Sequence, residues 1–355
     1  RGGGILWFDS AKSYEGGTLI HDGEFWLVGN GTAGANVMGN DIQIGSSMRL
    51  RVEGPSNIGS NQMIMMQNSD DNSASAIAFG AGYGTGEGIT FNSLVNTGGL
   101  PQTGPYNILI GNQQTGNDRR NRVAVQISGN HDFQTNLPGL IKAVAPDVQV
   151  WFGADTGNGT YTGTTLSTTG RNKTGSIEAF RLGSGTGTLT LALSNVLNGA
   201  APLIVGAEDE TARSNIGGVV YIPQAQNYTG TLTSTIGTSV TYGTLLGNGG
   251  LLIVGQNGSL NAADNTILFR GGELRPVLNA AQAHFGQTDT QYAARNLDIR
   301  FGNGSFRPWT LSGGTFGNLA LNNLTMIMDT ADRAFIVGST GTTYINTVFN
   351  GTTTL

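Results

Sequence analysis

Short apolar runs, most of them closed by glycine, recur along the whole chain. They include Phe25-Trp26-Leu27-Val28-Gly29, Ile42-Gln43-Ile44-Gly45, Ile108-Leu109-Ile110-Gly111 and Val148-Gln149-Val150-Trp151-Phe152-Gly153. Leu203-Ile204-Val205-Gly206, Leu251-Leu252-Ile253-Val254-Gly255, Leu297 to Gly302 and Phe335-Ile336-Val337-Gly338 continue the series. Each run is rich in Val, Ile, Leu and aromatics and is bounded by Gly, Asn or Thr, the signature of a short strand between tight turns. Alternation in Val148-Gln149-Val150 and in Leu189-Thr190-Leu191 points one face inward and the other outward. A glycine after each strand can take positive φ, so the pattern predicts a corner there. Many separations fall near one or two multiples of about 20 to 25 residues, the size of one solenoid coil.

A longer motif overlies these runs. Ser13-Tyr14-Glu15-Gly16-Gly17-Thr18-Leu19-Ile20 leads through His21-Asp22-Gly23 into Glu24 to Gly29, and Asn227-Tyr228-Thr229-Gly230-Thr231-Leu232 echoes its start. Tyr242-Gly243-Thr244-Leu245-Leu246-Gly247 continues that copy into Leu251 to Gly255, and Thr160-Tyr161-Thr162-Gly163-Thr164-Thr165-Leu166 begins a further one. Gly187-Thr188-Leu189-Thr190-Leu191 and Ile267-Leu268-Phe269-Arg270-Gly271-Gly272-Glu273-Leu274-Arg275 complete the set. These segments resemble the autotransporter-associated β-strand repeat, also called the passenger-associated transport repeat. Proteins with that repeat are secreted or surface-displayed parallel β-helices. The resemblance therefore implies that architecture, with an extracellular or bacterial cell-surface location, and it implies no chemistry.

The expectation is an all-β protein: a single elongated parallel β-helix (β-solenoid) with irregular loop excursions, continuous over residues 1–355. Residues 1–60 and 156–275 carry the clearest repeats, and 61–150 hold less regular coils with longer loops. Roughly 16 coils of about 22 residues, stacked at about 4.8 Å, make a rod about 75 Å long. Solenoids need polar or irregular caps, yet Ile5-Leu6-Trp7-Phe8 is strand-like near one end and the last residues are β-formers near the other. The candidate assembly interface is accordingly Ile5, Leu6, Trp7 and Phe8 with Tyr344, Ile345, Val348, Phe349 and Leu355, and the expected partner is another copy of the chain. Arg1 in place of an initiator Met marks a processed product or a piece of something longer.

Composition sharpens this picture. Glycine numbers 57 of 355 residues, about twice the usual share of roughly 7%. Charged residues make up 12%, with 3 Lys and 8 Glu; a charge-rich helical bundle is excluded, and 38% apolar content argues against disorder. Eighteen basic and 23 acidic residues give a net charge of −5, so nucleic acid is not an expected partner. No stretch is long and apolar enough to span a membrane as a helix, and no membrane insertion of this segment is expected. With no cysteine, disulfides and thiolate metal sites are excluded.

Catalytic motifs fail one by one. The three lysines, Lys12, Lys142 and Lys173, lie in no Gly-Lys-Ser/Thr, and His21, His131 and His284 are too far apart for a zincin helix. No G-x-S-x-G occurs, and the glycine-rich segment at 80–88 does not spell G-x-G-x-x-G. Asp70-Asp71 and Arg171-Asn172-Lys173 look like polygalacturonase elements, but the accompanying N-T-D and G-H-G are missing; a solvated Ser-Asp-Asp-Asn turn is the better reading. Glu208-Asp209-Glu210 reads as an exposed loop rather than an oxygen-ligand cation site. Arg119-Arg120-Asn121-Arg122 reads as a hydrated turn before a strand at 123–127, and the histidines as isolated surface or turn residues. Trp7, Trp26, Trp151 and Trp309 lie in apolar runs, which favours core stacking or burial against another subunit over sugar binding. No cofactor, metal or catalytic residue is assigned. The expected function is that of a structural or adhesive surface protein assembling into a filament or sheath; the alternative is a glycan-binding or glycan-cleaving β-helix, with surface glycans as partners.

Overall fold

The computed structural model describes residues 4–9, 17–28, 42–45, 47–54, 57, 63–67, 74–83, 91–93, 107–111, 122–132, 138, 148–170, 178–208, 215–230, 232–234, 240–259, 266–276, 296–299, 304–306, 318–328, 335–337 and 342–350. These residues are mostly strand with almost no helix, and parallel pairing dominates. Contacts divide the chain into two compact units: Arg1–Leu189 with Arg213–Ile216, and Thr190–Ala212 with Gly217–Leu355.

In the first unit, strands Ile5–Phe8, Glu24–Leu27, Arg49–Val52, Ser75–Phe79, Arg122–His131 and Gln149–Tyr161 pair side by side in parallel. Glu24 lies opposite Ile5, Arg49 opposite Glu24 and Ala76 opposite Arg49, giving offsets of 19, 25 and 27 residues. The next step is longer: Val123 lies opposite Ser75, 48 residues on. Parallel register puts like side chains in lines running across the strands. Phe25, Leu50, Ile77, Val125 and Phe152 form one buried line, and Leu27, Val52, Phe79, Ile127 and Ala154 form another. Phe8 closes edge-on against Phe25 at 4.9 Å between ring centres, and Phe152 meets Tyr161 edge-on at 5.4 Å.

A second sheet in the same unit runs in the order Thr18–Ile20, Ile42–Ile44, Met63–Gln67, Asn107–Gly111, Phe91–Ser93, all in parallel. Its buried line is Ile20, Ile44 and Met66, with Ile42 and Ile64 beside it. Asn107–Gly111 lies between Met63–Gln67 and Phe91–Ser93, so spatial order here departs from chain order.

The second unit sends successive strands alternately to two rows. One row pairs Leu203–Val205, Thr244–Leu246, Thr266–Phe269, Asn296–Ile299, Asn318–Met328 and Thr342–Asn350. The other pairs Gly218–Ala225, Gly250–Ser259, Glu273–Pro276, Gly304–Phe306 and Phe335–Val337. Leu232–Ser234 with Val240–Tyr242 is an antiparallel hairpin.

The expected strands are present at 5–8, 42–44, 203–205 and 335–337, and the run at 148–152 extends into Gln149–Tyr161. The glycines that end these runs divide into two kinds. Gly206 has φ +85° and turns the corner after Leu203–Val205 as the pattern predicts. Gly153 lies within its strand, and a β-carbon built on it would sit 2.0 Å from the carbonyl oxygen of Ser184. There the missing side chain serves close approach of two backbones rather than a corner.

Candidate functional site

The face of the first unit's sheet opposite the apolar lines carries its charge. Register aligns Glu24, Arg49, Ala76, Ala124 and Trp151 in one row and Trp26, Arg51, Ala78, Gln126 and Gly153 in the next. Alanine and glycine within these rows leave room above the sheet for the two long guanidinium side chains. Arg49 and Arg51 are held there because Leu50 and Val52, the alternate residues of the same strand, are committed to the interior.

Asp155 joins these arginines through an irregularity. Ile127 pairs with Ala154 and Gly129 with Gly159, so five residues of one strand are spanned by two of the other, and the extra residues bulge outward from Asp155. Its carboxylate is fully buried and meets Arg49 Nη1 at 2.8 Å and Arg51 Nη1 at 2.7 Å. Arg49 Nη2 reaches Glu24 Oε2 at 2.5 Å, and Arg51 Nη2 reaches Glu53 Oε2 at 3.0 Å. Arg51 also lies over the Trp26 ring, 4.6 Å from its centre, and Trp7 stacks on Trp26 at 5.0 Å with 20° between planes. The Trp26 indole N–H donates to Glu24 Oε2 at 2.9 Å.

Hydrogen bonds to uncharged side chains and carbonyls extend the cluster. Arg49 Nη1 donates to Gln126 Oε1 at 3.4 Å, Gln126 Nε2 to Ser184 Oγ at 3.0 Å, and Ser184 Oγ to the Asn215 carbonyl at 2.9 Å. Asn215 has φ +60° and donates from Nδ2 to the Ala74 carbonyl at 2.8 Å. The network thus links strands distant in sequence to the segments around residues 184 and 215. Burial pushes the Asp155 carboxyl above its ordinary value, and Arg49 and Arg51 offset part of that rise. Three carboxylates face two guanidiniums that separate them, an arrangement suited to tying strands together. Among the described residues no group of three or more His, Cys, Asp or Glu side chains is placed to hold a metal ion.

His131 departs from the expectation of a surface or turn residue. The strand continues to it and buries it completely, with Nε2 donating to the Ser128 carbonyl at 2.7 Å. Burial lowers its pKa from 6.5, against weaker opposing effects of that hydrogen bond, Asp132 and Glu53. Burial likewise pushes the neighbouring Tyr161 up to about 12. The folded chain binds a proton at His131 less readily than the unfolded chain, so its contribution is intact above pH 6.5 and is lost as pH falls through the lowered value. Denaturant titrations at pH 7.5 and 5.5 are expected to show the first unit weaker at the lower pH. The slope is bounded at about 1.4 kcal/mol per pH unit. Asp155 acts in the opposite sense in the carboxylate range, since its raised value favours the protonated folded form on acidification. Equal pH slopes for wild type and His131→Gln between those two values would exclude the histidine as the cause.

Of the other residues to which the sequence draws attention, Ile5, Leu6 and Trp7 are exposed at 50%, 57% and 57%, while Phe8 is half-buried. Tyr344, Ile345, Val348 and Phe349 lie together on Thr342–Asn350, opposite Ala320, Leu321, Thr325 and Met326. Leu355 lies outside the described residues, as do Asp70, Asp71, Arg119, Arg120, Asn121, Arg171, Lys173, Asp209, Glu210, His284 and Trp309. Arg122 is in a strand and buried rather than in a hydrated turn. Trp151 is core, and Arg181 lies over its ring at 5.6 Å.

The arginine–carboxylate network was not singled out from the sequence. The alternation in Glu24-Phe25-Trp26-Leu27 and Arg49-Leu50-Arg51-Val52 holds its signal, since an offset of 25 sets Glu24 opposite Arg49 and Trp26 opposite Arg51. Comparison with protein families, curated proteins and solved structures found no match to the chain.

Proposed function

We propose that the protein is an extracellular structural or adhesive β-solenoid that assembles with copies of itself into a surface filament or sheath and performs no catalysis. The observation that carries this reading is the buried line Phe25, Leu50, Ile77, Val125 and Phe152, in which each strand lends one side chain to an interior shared with its neighbours. Such a line grows by repetition and gives stiffness, and it needs no site. The two alternating rows of the second unit support the same reading. The likeness to the autotransporter-associated repeat supports placement on a bacterial surface.

The exposed ring of Trp7, stacked on Trp26, favours glycan binding as a second reading. Electron microscopy of concentrated protein, with mass photometry of the soluble fraction, separates the two. Filaments with an axial repeat commensurate with one chain are expected. A protein that stays monomeric at high concentration would overturn self-assembly and make glycan-binding assays decisive for the second reading.

A further inference from the structure

Gln126, Gly153 and Ser184 form a short row across the charged face of the first unit. Gln126 stands opposite Gly153 on the neighbouring strand. The backbone of Ser184 lies against Gly153 as well, so close that a β-carbon on the glycine would sit 2.4 Å from the Ser184 nitrogen. Because the middle residue has no side chain, the outer two meet over it: Gln126 Nε2 donates to Ser184 Oγ at 3.0 Å. Both side chains are shut off from water, with Gln126 0% and Ser184 1% exposed. Arg49 fixes which way the amide points. A guanidinium only donates, so the Gln126 oxygen must face it, and Arg49 Nη1 lies 3.4 Å from Oε1. Nε2 is therefore turned to the serine. Since Nε2 is bonded to the carbonyl carbon Cδ, the hydroxyl oxygen stands one atom away from a carbon whose oxygen a cation already polarises. Buried Asp155 shares that cation, with Oδ1 at 2.8 Å from the same Nη1.

A hydroxyl, an amide carbonyl, a cation on the carbonyl oxygen and a buried carboxylate are the parts of an acyl transfer. We propose that Ser184 and Gln126 join in an intramolecular ester, formed once per chain after folding. Ser184 Oγ attacks Gln126 Cδ, and the new C–O bond forms as the Cδ–Nε2 bond breaks. The hydroxyl proton, carried by Asp155, passes to Nε2, which leaves as ammonia. Nothing is oxidised or reduced, and no co-reactant is needed. Holding the two groups in contact removes most of the entropic barrier to their reaction, and the exclusion of water protects the product from hydrolysis. The ester spans 58 residues of sequence and ties the strand Arg122–His131 to the segment that follows Phe180–Leu182, over the strand Gln149–Tyr161. A chain without cysteine has no disulfide to make such a tie. Each chain reacts once and turns nothing over, so the linkage is compatible with a structural role and does not depend on self-assembly.

Mass spectrometry of the purified, folded chain is the test. The intact mass is expected to lie below that of the sequence by one ammonia. Trypsin is expected to release a linked pair of peptides, residues 123–142 joined to residues 182–213. Alkaline hydroxylamine should separate the pair and leave a hydroxamate at position 126, as an ester requires. Ser184→Ala, a mild change in volume, should restore the full mass and run more slowly on a denaturing gel than the looped wild type. Asp155→Asn, followed in freshly synthesised chain, is expected to slow linkage on the order of 100-fold. An unchanged rate there would remove the carboxylate from the step. Wild-type chain that keeps its full mass after prolonged incubation at neutral pH would overturn the ester. So would a loss of ammonia without the linked pair, which marks a succinimide at an Asn-Gly pair instead, and so would a linked pair that persists in Ser184→Ala.

Discussion

Replacing Gly185 with alanine is expected to lower the unfolding free energy of the first unit by about 4 kcal/mol, combining backbone strain with an overpacked contact. Gly185 has φ +79°, which an L side chain tolerates poorly, and a β-carbon there would lie 1.9 Å from the carbonyl oxygen of Ala154. Backbone rather than a flexible side chain stands in the way. The strand edge must shift at the point where Gly183 N donates to the Phe152 carbonyl at 3.0 Å. That shift also disturbs Gln126, whose Cδ would lie 3.1 Å from the new carbon and whose amide holds Ser184. Gly157 is the natural control, since nothing lies within 4 Å of a β-carbon built on it and its φ is not positive. Gly157→Ala should stay within about 0.5 kcal/mol of wild type. Trp7, Trp26 and Trp151, three of the four tryptophans, belong to the first unit, so denaturation followed by tryptophan fluorescence reads mainly that unit. Equal midpoints for the two variants would refute the close-approach argument.

Phe152→Ala should cost a comparable amount, about 3 to 5 kcal/mol, by leaving a cavity in the middle of a filled line. Phe152 is fully buried, stands opposite Val125 on one side and Leu182 on the other, and packs edge-on against Tyr161. Because parallel register stacks these side chains directly, no neighbour can close the gap without moving its own strand. The same measurement serves, with Phe152→Leu as the milder change at roughly 1 kcal/mol. If alanine and leucine proved equally mild, the interior at this level would have to be loose rather than close-packed.

Strand positions were legible because short apolar runs bounded by small polar residues have few other ways to satisfy both burial and backbone hydrogen bonding. Val148 to Phe152 shows this for the strand, but Gln149 and Trp151, on the face that the alternation points outward, are buried as well as Val150 and Phe152. Register was less legible. Turn lengths vary, so offsets of 19, 25, 27 and 48 residues follow from no single period. Without register, Arg49 and Arg51 read as two surface cations, and their partners Glu24 and Glu53 as two more charges. Asp155 was further out of reach, because only the bulge between Ala154 and Gly159 carries it to the arginines. His131 misled for a simpler reason: the apolar run stops at Ile127, while hydrogen bonding carries the strand four residues on.

The uneven offsets have a mechanical corollary. A pull on the chain at Ile5 loads the bonds to Glu24–Leu27 one after another, as in opening a zip, rather than all together in shear. Each strand detached in turn would release the length up to its next paired neighbour, about 65 Å for the 19 residues from Ile5 to Glu24 and about 85 Å for the 25 from Glu24 to Arg49. Under tension the first unit would lengthen in a staircase of unequal treads, whose sizes spell out the pairing order of its strands.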